Sequence, residues 1–194
     1  MSEVSNLSKD DLLRLAQKVR RGDHCAFERL YKHFYASLCE FVLRYVQNKE
    51  IAEDIVQSLF LDIYEKGADW NPTDNVKTYI FTSARNKALN YLRDNEEHLS
   101  TQWTGNAHIS PPLNYNPVEE EQYFKDLQRA LQDAYKCMPE KRRLVFLLSR
   151  ESNLSYKEIS KVLNISVKTV ETHMGRALKA LRDELKHFFN LIRN

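Results

Sequence analysis

Over residues 9–94 apolar side chains recur every three or four positions, which predicts amphipathic helices. Leu12, Leu13, Ala16 and Val19 give a first helix its inward face, and Gly22-Asp23 breaks it. A second helix starts near Asp23 and runs to about Gln47 on one face made of Phe27, Leu30, Tyr31, Phe34, Leu38, Phe41, Val42 and Tyr45. A third, over 50–66, turns Ile51, Ile55, Val56, Leu59, Phe60 and Ile63 inward and leaves Glu53, Asp54, Gln57 and Leu61 outward. Pro72 cannot continue a helix, and Asp74 or Asn75 can cap the next one. That fourth helix, over 76–93, directs Val76, Ile80, Ala84, Ala88 and Leu92 inward; Ser83, Asn86, Lys87, Asn90 and Arg93 share its other side, with Tyr79, Phe81 and Tyr91 interleaved.

The periodicity lapses between 95 and 117, where Gly105, Pro111, Pro112, Asn114, Asn116 and Pro117 accumulate, and a linker is predicted there. It divides a domain over 1–94 from a second over 118–194. In the second, Phe124, Leu127, Leu131 and Tyr135 form a helical stripe that ends at Met138-Pro139, and a further helix carries Leu144 to Leu148. Ser155 and Glu158 have capping-box spacing at the start of a short helix that buries Ile159, Val162 and Leu163. Asn164 stands where a left-handed residue is needed, and Ser166 caps a longer helix with Val167, Val170, Met174, Ala177, Leu178 and Leu181 inward. A short capped helix, a tight turn and a longer helix make a helix-turn-helix. Its outward positions are Lys168, Thr169, Glu171, Thr172, His173, Gly175, Arg176 and Lys179, with short hydrogen-bonding groups suited to base edges and cations suited to phosphates. The expected fold is all-α: two small helical domains joined by a flexible acidic linker.

Composition narrows the chemistry. Four Gly in 194 residues leave no glycine-rich cradle for a phosphate. The three cysteines, Cys25, Cys39 and Cys137, are odd in number and far apart, against both a disulfide framework and a zinc site, so a reducing cytoplasm is expected and no metal or cofactor. The longest apolar run, 144–148, is far short of the ~20 residues of a membrane span, and the first residues lack the pattern of a secretory signal. No nucleophile-base pair or paired-carboxylate site stands out, so a non-enzyme without a small-molecule substrate is expected.

The net charge of +2 conceals opposed blocks. Residues 51–69 hold five carboxylates against Lys66, a net −4, and 75–93 hold four cations and no carboxylate. Residues 94–121 carry −6, whereas 141–194 carry +7. The acidic stripe of the third helix reads as a solvated face or as a docking face for a basic partner. Cations, amides and aromatics on the fourth helix suit single-stranded or distorted nucleic acid, although ordinary core helices share that composition.

These segments together resemble the extracytoplasmic-function sigma factors of bacterial RNA polymerase. The resemblance spans roughly 22–185 and rests on GDHCAFERLYKHFY, AEDIVQSLFLDIYEK, VKTYIFTSARNKALNYLR and MPEKRRLVFLLSRESNLSYKEISKVLNISVKTVETHMGRALKALR. The phrasing is most similar to the Bacteroides-type branch, which implies a membrane-associated anti-sigma partner. The resemblance implies that Glu53, Asp54, Gln57 and Leu61 dock on core polymerase, and that Trp70, Asn75, Lys77, Ser83, Asn86, Lys87 and Asn90 melt and read the minus-ten region, capturing a base of the non-template strand. It implies that Lys168, Thr169, Glu171, Thr172, His173, Arg176 and Lys179 read the minus-thirty-five duplex. Asn164 in place of Gly, and Glu171 where a basic residue is frequent, depart from many relatives. Two other readings use the same residues: a free-standing helix-turn-helix regulator with a sensing or dimerising N-terminal domain, and a helical adaptor acting through protein contacts alone.

Overall fold

Ser8 starts the first helix with a capping box: its hydroxyl accepts from Asp11 N at 3.1 Å while the Asp11 carboxylate accepts from Ser8 N at 3.2 Å. The computed structural model describes residues 7–72, 75–95, 129–131, 133–135 and 137–186, so the predicted linker beyond Asn95 and the stripe positions Phe124 and Leu127 lie outside the described residues. The elements are α1 (Lys9–Arg20), α2 (His24–Val46), α3 (Lys49–Lys66), a 3-10 turn (Gly67–Asp69), α4 (Val76–Asp94), α5 (Glu140–Arg150), α6 (Tyr156–Leu163) and α7 (Val167–Glu184). The described residues contain no strand, in keeping with the all-α expectation. They form two compact units, one of 7–72, 75–95 and 157–164, the other of 129–156 and 165–186 as far as described.

Each boundary has a local cause. Asp23, Asn48 and Asn75 cap α2, α3 and α4 by accepting from the backbone N–H three residues on. Gln47 closes α2 in the left-handed region at φ 53°, and Gly22 takes φ 81° between α1 and α2.

In the first unit α2 is the organising element, packing on α1, α3 and α4. Its seven buried residues, Ala26, Leu30, Phe34, Leu38, Phe41, Val42 and Val46, follow the helical period. Phe81 of α4 lies edge-on to Phe41 at 5.2 Å and to Phe34 at 6.4 Å. Across the other side, Phe60 of α3 meets Tyr31 at 4.8 Å and Phe27 at 6.2 Å. Burial of each such ring contributes roughly 1.5–3 kcal/mol, and the edge-on geometry adds to it. Phe81, read from the sequence as interleaved with the nucleic-acid-facing groups of α4, is instead a core residue at 1% exposure.

In the second unit α5 packs along α7, where Val170, Met174, Ala177 and Leu181 are buried. Tyr135 lies 5.6 Å from Phe146, whose other neighbour is the Arg150 guanidinium at 5.9 Å. Asn164 has φ 54°, the left-handed turn expected between α6 and α7, and Ser166 caps α7 by accepting from Thr169 N at 3.0 Å.

Candidate nucleic-acid and protein interfaces

The outward face of α3 is acidic and apolar at once. Asp54 and Gln57 are exposed, and Leu61 is 56% exposed, unusual for a leucine. Glu53 lies 3.6 Å from Lys49 one turn earlier, and the Gln57 side chain hydrogen-bonds the Tyr35 phenol. Burial then pushes the Tyr35 hydroxyl up to about 12. Tyr64, three residues past Leu61, is 50% exposed and rests on Phe27 at 5.2 Å and His24 at 5.9 Å. Sequence reasoning missed Tyr64; its signal is the i, i+3 relation to Leu61, which places both on one stripe.

The loop from α3 to α4 is anchored from α1. Arg20 Nε donates to the Ala68 carbonyl at 3.1 Å and its terminal nitrogen to Asn71 Oδ1 at 3.3 Å. Trp70, expected at the minus-ten site, is 1% exposed and lies edge-on to Tyr79 at 6.2 Å. Its large apolar area is thus enclosed in the first unit, where it fastens the loop to the core. Asn75 spends its side-chain oxygen on capping α4, accepting from Thr78 N at 3.2 Å. Lys77 is half-buried, and desolvation holds its ammonium below the usual lysine range. His33 of α2, also depressed by burial, feels that charge.

Farther along α4, Asn86 and Asn90 are exposed and Ser83 is half-buried. Lys87 is half-buried and turns toward α3, where Nζ meets Asp62 Oδ2 at 2.9 Å and Ser58 Oγ at 3.0 Å. A groove between α3 and α4 is lined by Ile51, Asp54, Ile55, Ser58, Lys87, Asn90 and Tyr91. The structure thus brings the docking candidate Asp54 and the minus-ten candidates Lys87 and Asn90 to one groove, and leaves Trp70 out of it.

On α7, Lys168, Glu171, Thr172, Arg176 and Lys179 are exposed as expected, and so is Gly175. Thr169 and His173 are half-buried. The Thr169 hydroxyl shares a 2.8 Å hydrogen bond with Ser166 Oγ, so it belongs to the cap as much as to the surface. Thr172 Oγ1 donates to the Lys168 carbonyl at 2.8 Å. Its proton is therefore committed to the helix, and the exposed side chain keeps hydroxyl lone pairs and a methyl. His173 Nδ1 is enclosed without a hydrogen-bond partner among the described residues. Desolvation, followed by the charges of Arg142, Arg176 and Lys141, holds its imidazole below the ordinary histidine value. No group of three or more metal-ligating side chains occurs among the described residues.

Comparison with known proteins accounts for both units. The family description "Sigma-70 region 2" matches residues 30–97, which contain α3, α4 and most of α2, and "Sigma-70, region 4" matches 128–181, which contain α5, α6 and most of α7. The chain is similar to the ECF RNA polymerase sigma-E factor of Haemophilus influenzae, with 25% identity over 178 residues, covering 89% of this chain and 94% of that one. It is likewise 25% identical over 179 residues to the ECF RNA polymerase sigma factor SigW of Bacillus subtilis, covering 88% and 94%. Among solved structures, sigma factor RpoE of Bartonella quintana, in complex with the anti-sigma factor NepR, shares the fold at TM-score 0.59 and 20% identity over 82% of this chain and 96% of that one. CnrH in complex with the cytosolic domain of CnrY does so at TM-score 0.56 and 20% identity, over 90% and 96%. With both sigma-70 regions in order and relatives matched along nearly their full length, the chain belongs to the extracytoplasmic-function sigma factors, the initiation subunits of bacterial RNA polymerase.

Proposed function

We propose that this chain directs core RNA polymerase to promoters through three surfaces. The exposed face of α3, with Glu53, Asp54 and Gln57 beside Leu61 and Tyr64, docks on the core enzyme. Opposed charge would steer the encounter and the apolar pair would hold it, since charge acts chiefly on association rate and apolar burial on residence. The outward side of α4 and its exposed amides meet the melted non-template strand at the minus-ten element, with Lys77, Ser83, Asn86 and Asn90 as contacts and Asn75 setting the helix start. Lys87 acts there through its hold on α3, and Trp70 through the loop it anchors. The exposed face of α7 enters the major groove of the minus-thirty-five duplex, Thr172 and Glu171 toward base edges and Lys168, Arg176 and Lys179 toward phosphates.

The observation that carries this reading is the groove where Asp54 of α3 faces Lys87 and Asn90 of α4, because it puts candidate polymerase and DNA contacts on adjoining helices. The domain layout is 1–94 for core docking and minus-ten recognition, 95–117 as linker and 118–194 for the minus-thirty-five element. Chemistry belongs to the polymerase, and this chain contributes binding and melting without a catalytic residue. No helix of the described residues is long and apolar enough to cross a membrane, and we place the chain in the cytoplasm. An anti-sigma partner follows by analogy with the NepR and CnrY complexes, and its membrane association rests on the sequence resemblance alone. The Bacteroides-type assignment rests on sequence phrasing alone.

Co-elution with purified bacterial core polymerase on size exclusion, followed by binding of a randomised duplex pool with and without core, tests this. The proposal expects a stable complex and sequence enrichment that needs core; a chain that enriches paired half-sites unaided while ignoring core would be a free-standing regulator instead.

A further inference from the structure

Gly175 is exposed halfway along α7. Glycine weakens a helix interior more than any residue except proline, so its presence there needs a reason. The described residues supply none. A Cβ built on Gly175 would meet nothing within 4 Å, and the backbone is not in the left-handed region.

On the same face, one turn to either side, stand Glu171, Thr172, Leu178 and Lys179. Missing side-chain bulk at Gly175 leaves a notch between them. Glu171 and Lys179 wall it with charge, while Leu178 is 36% exposed and Thr172, whose hydroxyl proton goes to the Lys168 carbonyl at 2.8 Å, adds a methyl-bearing side chain. A notch of this kind fits a small apolar group standing proud of a flat polar surface. In the major groove the thymine C5-methyl is that group, and it is contacted by aliphatic and threonine methyl groups.

We infer that the notch at Gly175 receives the methyl of one thymine in the minus-thirty-five element and makes Gly175 a specificity-determining residue. The inference rests on the reading of α7 as the duplex-reading helix.

The test is a scan in which each thymine of a duplex enriched on the holoenzyme is replaced singly by deoxyuridine, which keeps the base pair and removes only the methyl. Wild-type holoenzyme should lose affinity about fourfold at one position, the worth of one buried methyl group. Gly175→Leu fills the notch; it should bind the thymine duplex more weakly and show no further loss with deoxyuridine at that position. Gly175→Ala should fall between them. Thermal midpoints of both variants should equal or exceed that of wild type, since each is a better helix former, so weaker binding would not reflect unfolding. Uniform insensitivity of wild type to deoxyuridine overturns the inference, as does a methyl preference that survives in Gly175→Leu. Failure of wild-type holoenzyme to enrich any upstream duplex element overturns the underlying reading of α7 instead.

Discussion

Lys87 Nζ is held 2.9 Å from Asp62 Oδ2, tying the helix assigned to promoter melting to the helix assigned to polymerase docking. The two side chains are 28% and 43% exposed, so solvent screens the pair only in part, and Ser58 Oγ at 3.0 Å fixes the ammonium further. A double-mutant cycle with Lys87→Met and Asp62→Asn should give a coupling of about 0.3–1 kcal/mol by urea denaturation. A coupling indistinguishable from zero would mean that the pair does not fasten α3 to α4 in solution.

Trp70 is a structural residue in this account. Trp70→Ala should destabilise the N-terminal unit by roughly 3–5 kcal/mol, as large core truncations do. Trp70→Phe should cost far less, because its indole N–H has no acceptor among the described residues and the replacement keeps most of the apolar area. Promoter opening by Trp70→Phe holoenzyme, followed by permanganate footprinting, should match wild type. Selective loss of opening in a stable Trp70→Phe variant would restore a direct role at the minus-ten strand.

Asp54 is exposed on the α3 face, and its reversal should not disturb the core. Asp54→Lys should weaken association with core polymerase roughly five- to tenfold, mostly through a slower on-rate, with an unchanged denaturation midpoint. Biolayer interferometry against immobilised core reads both rates. Equal on-rates at low and high salt for wild type and variant would remove Asp54 from the docking surface.

His173 gives the C-terminal unit a pH dependence of definite sign. An unfolded imidazole takes up its proton near pH 6.5. The folded one resists, from desolvation first and then from Arg142, Arg176 and Lys141. Protons therefore favour the unfolded chain: the stability contribution is complete above about pH 6.5 and is lost as pH falls toward the depressed folded value. His33, depressed as well, contributes the same slope to every variant at position 173. Stability measured from pH 7 to pH 5 should fall less steeply in His173→Gln than in wild type. Duplex affinity should change the other way, rising in wild type as pH falls because nearby phosphates favour the imidazolium, and staying flatter in His173→Gln. Identical slopes in both measurements would contradict the placement of His173.

The helices of the first unit are readable from apolar spacing because each packs one face on a common core. Of the expected inward positions of α1, Leu12, Ala16 and Val19 are buried and Leu13 is half-buried, with Leu15 buried in addition, and Asn75, Asn164 and Ser166 occupy the cap and turn positions their side chains suit. What periodicity does not reveal is which side chain meets which across helices. Lys87 is outward on the wheel of α4, yet α3 covers that sector and supplies Asp62. Phe81 lies one position from Ile80 and off the expected stripe, and only the wrap of α2 around α4, with Phe34 and Phe41 on either side, buries it. Trp70 sits two residues before a proline in a short connection, where a composition-based reading expects surface; it is buried against Tyr79, and Arg20 of α1 anchors the loop through the Ala68 carbonyl. The donor state of Thr172 depends on a backbone carbonyl four residues back, a choice local to the folded helix.

The central claim is that this chain gives polymerase its promoter choice, and promoter-directed transcription measures it most directly. Purified bacterial core polymerase is supplied with a fragment library from which this chain's promoters are selected, and transcripts are mapped with wild type, Asp54→Lys and Arg176→Ala. The account predicts discrete start sites that require the chain, weaker but correctly placed starts with Asp54→Lys, and starts weakened about uniformly across promoters with Arg176→Ala, as for a lost phosphate contact. Start sites identical with and without the chain would contradict it.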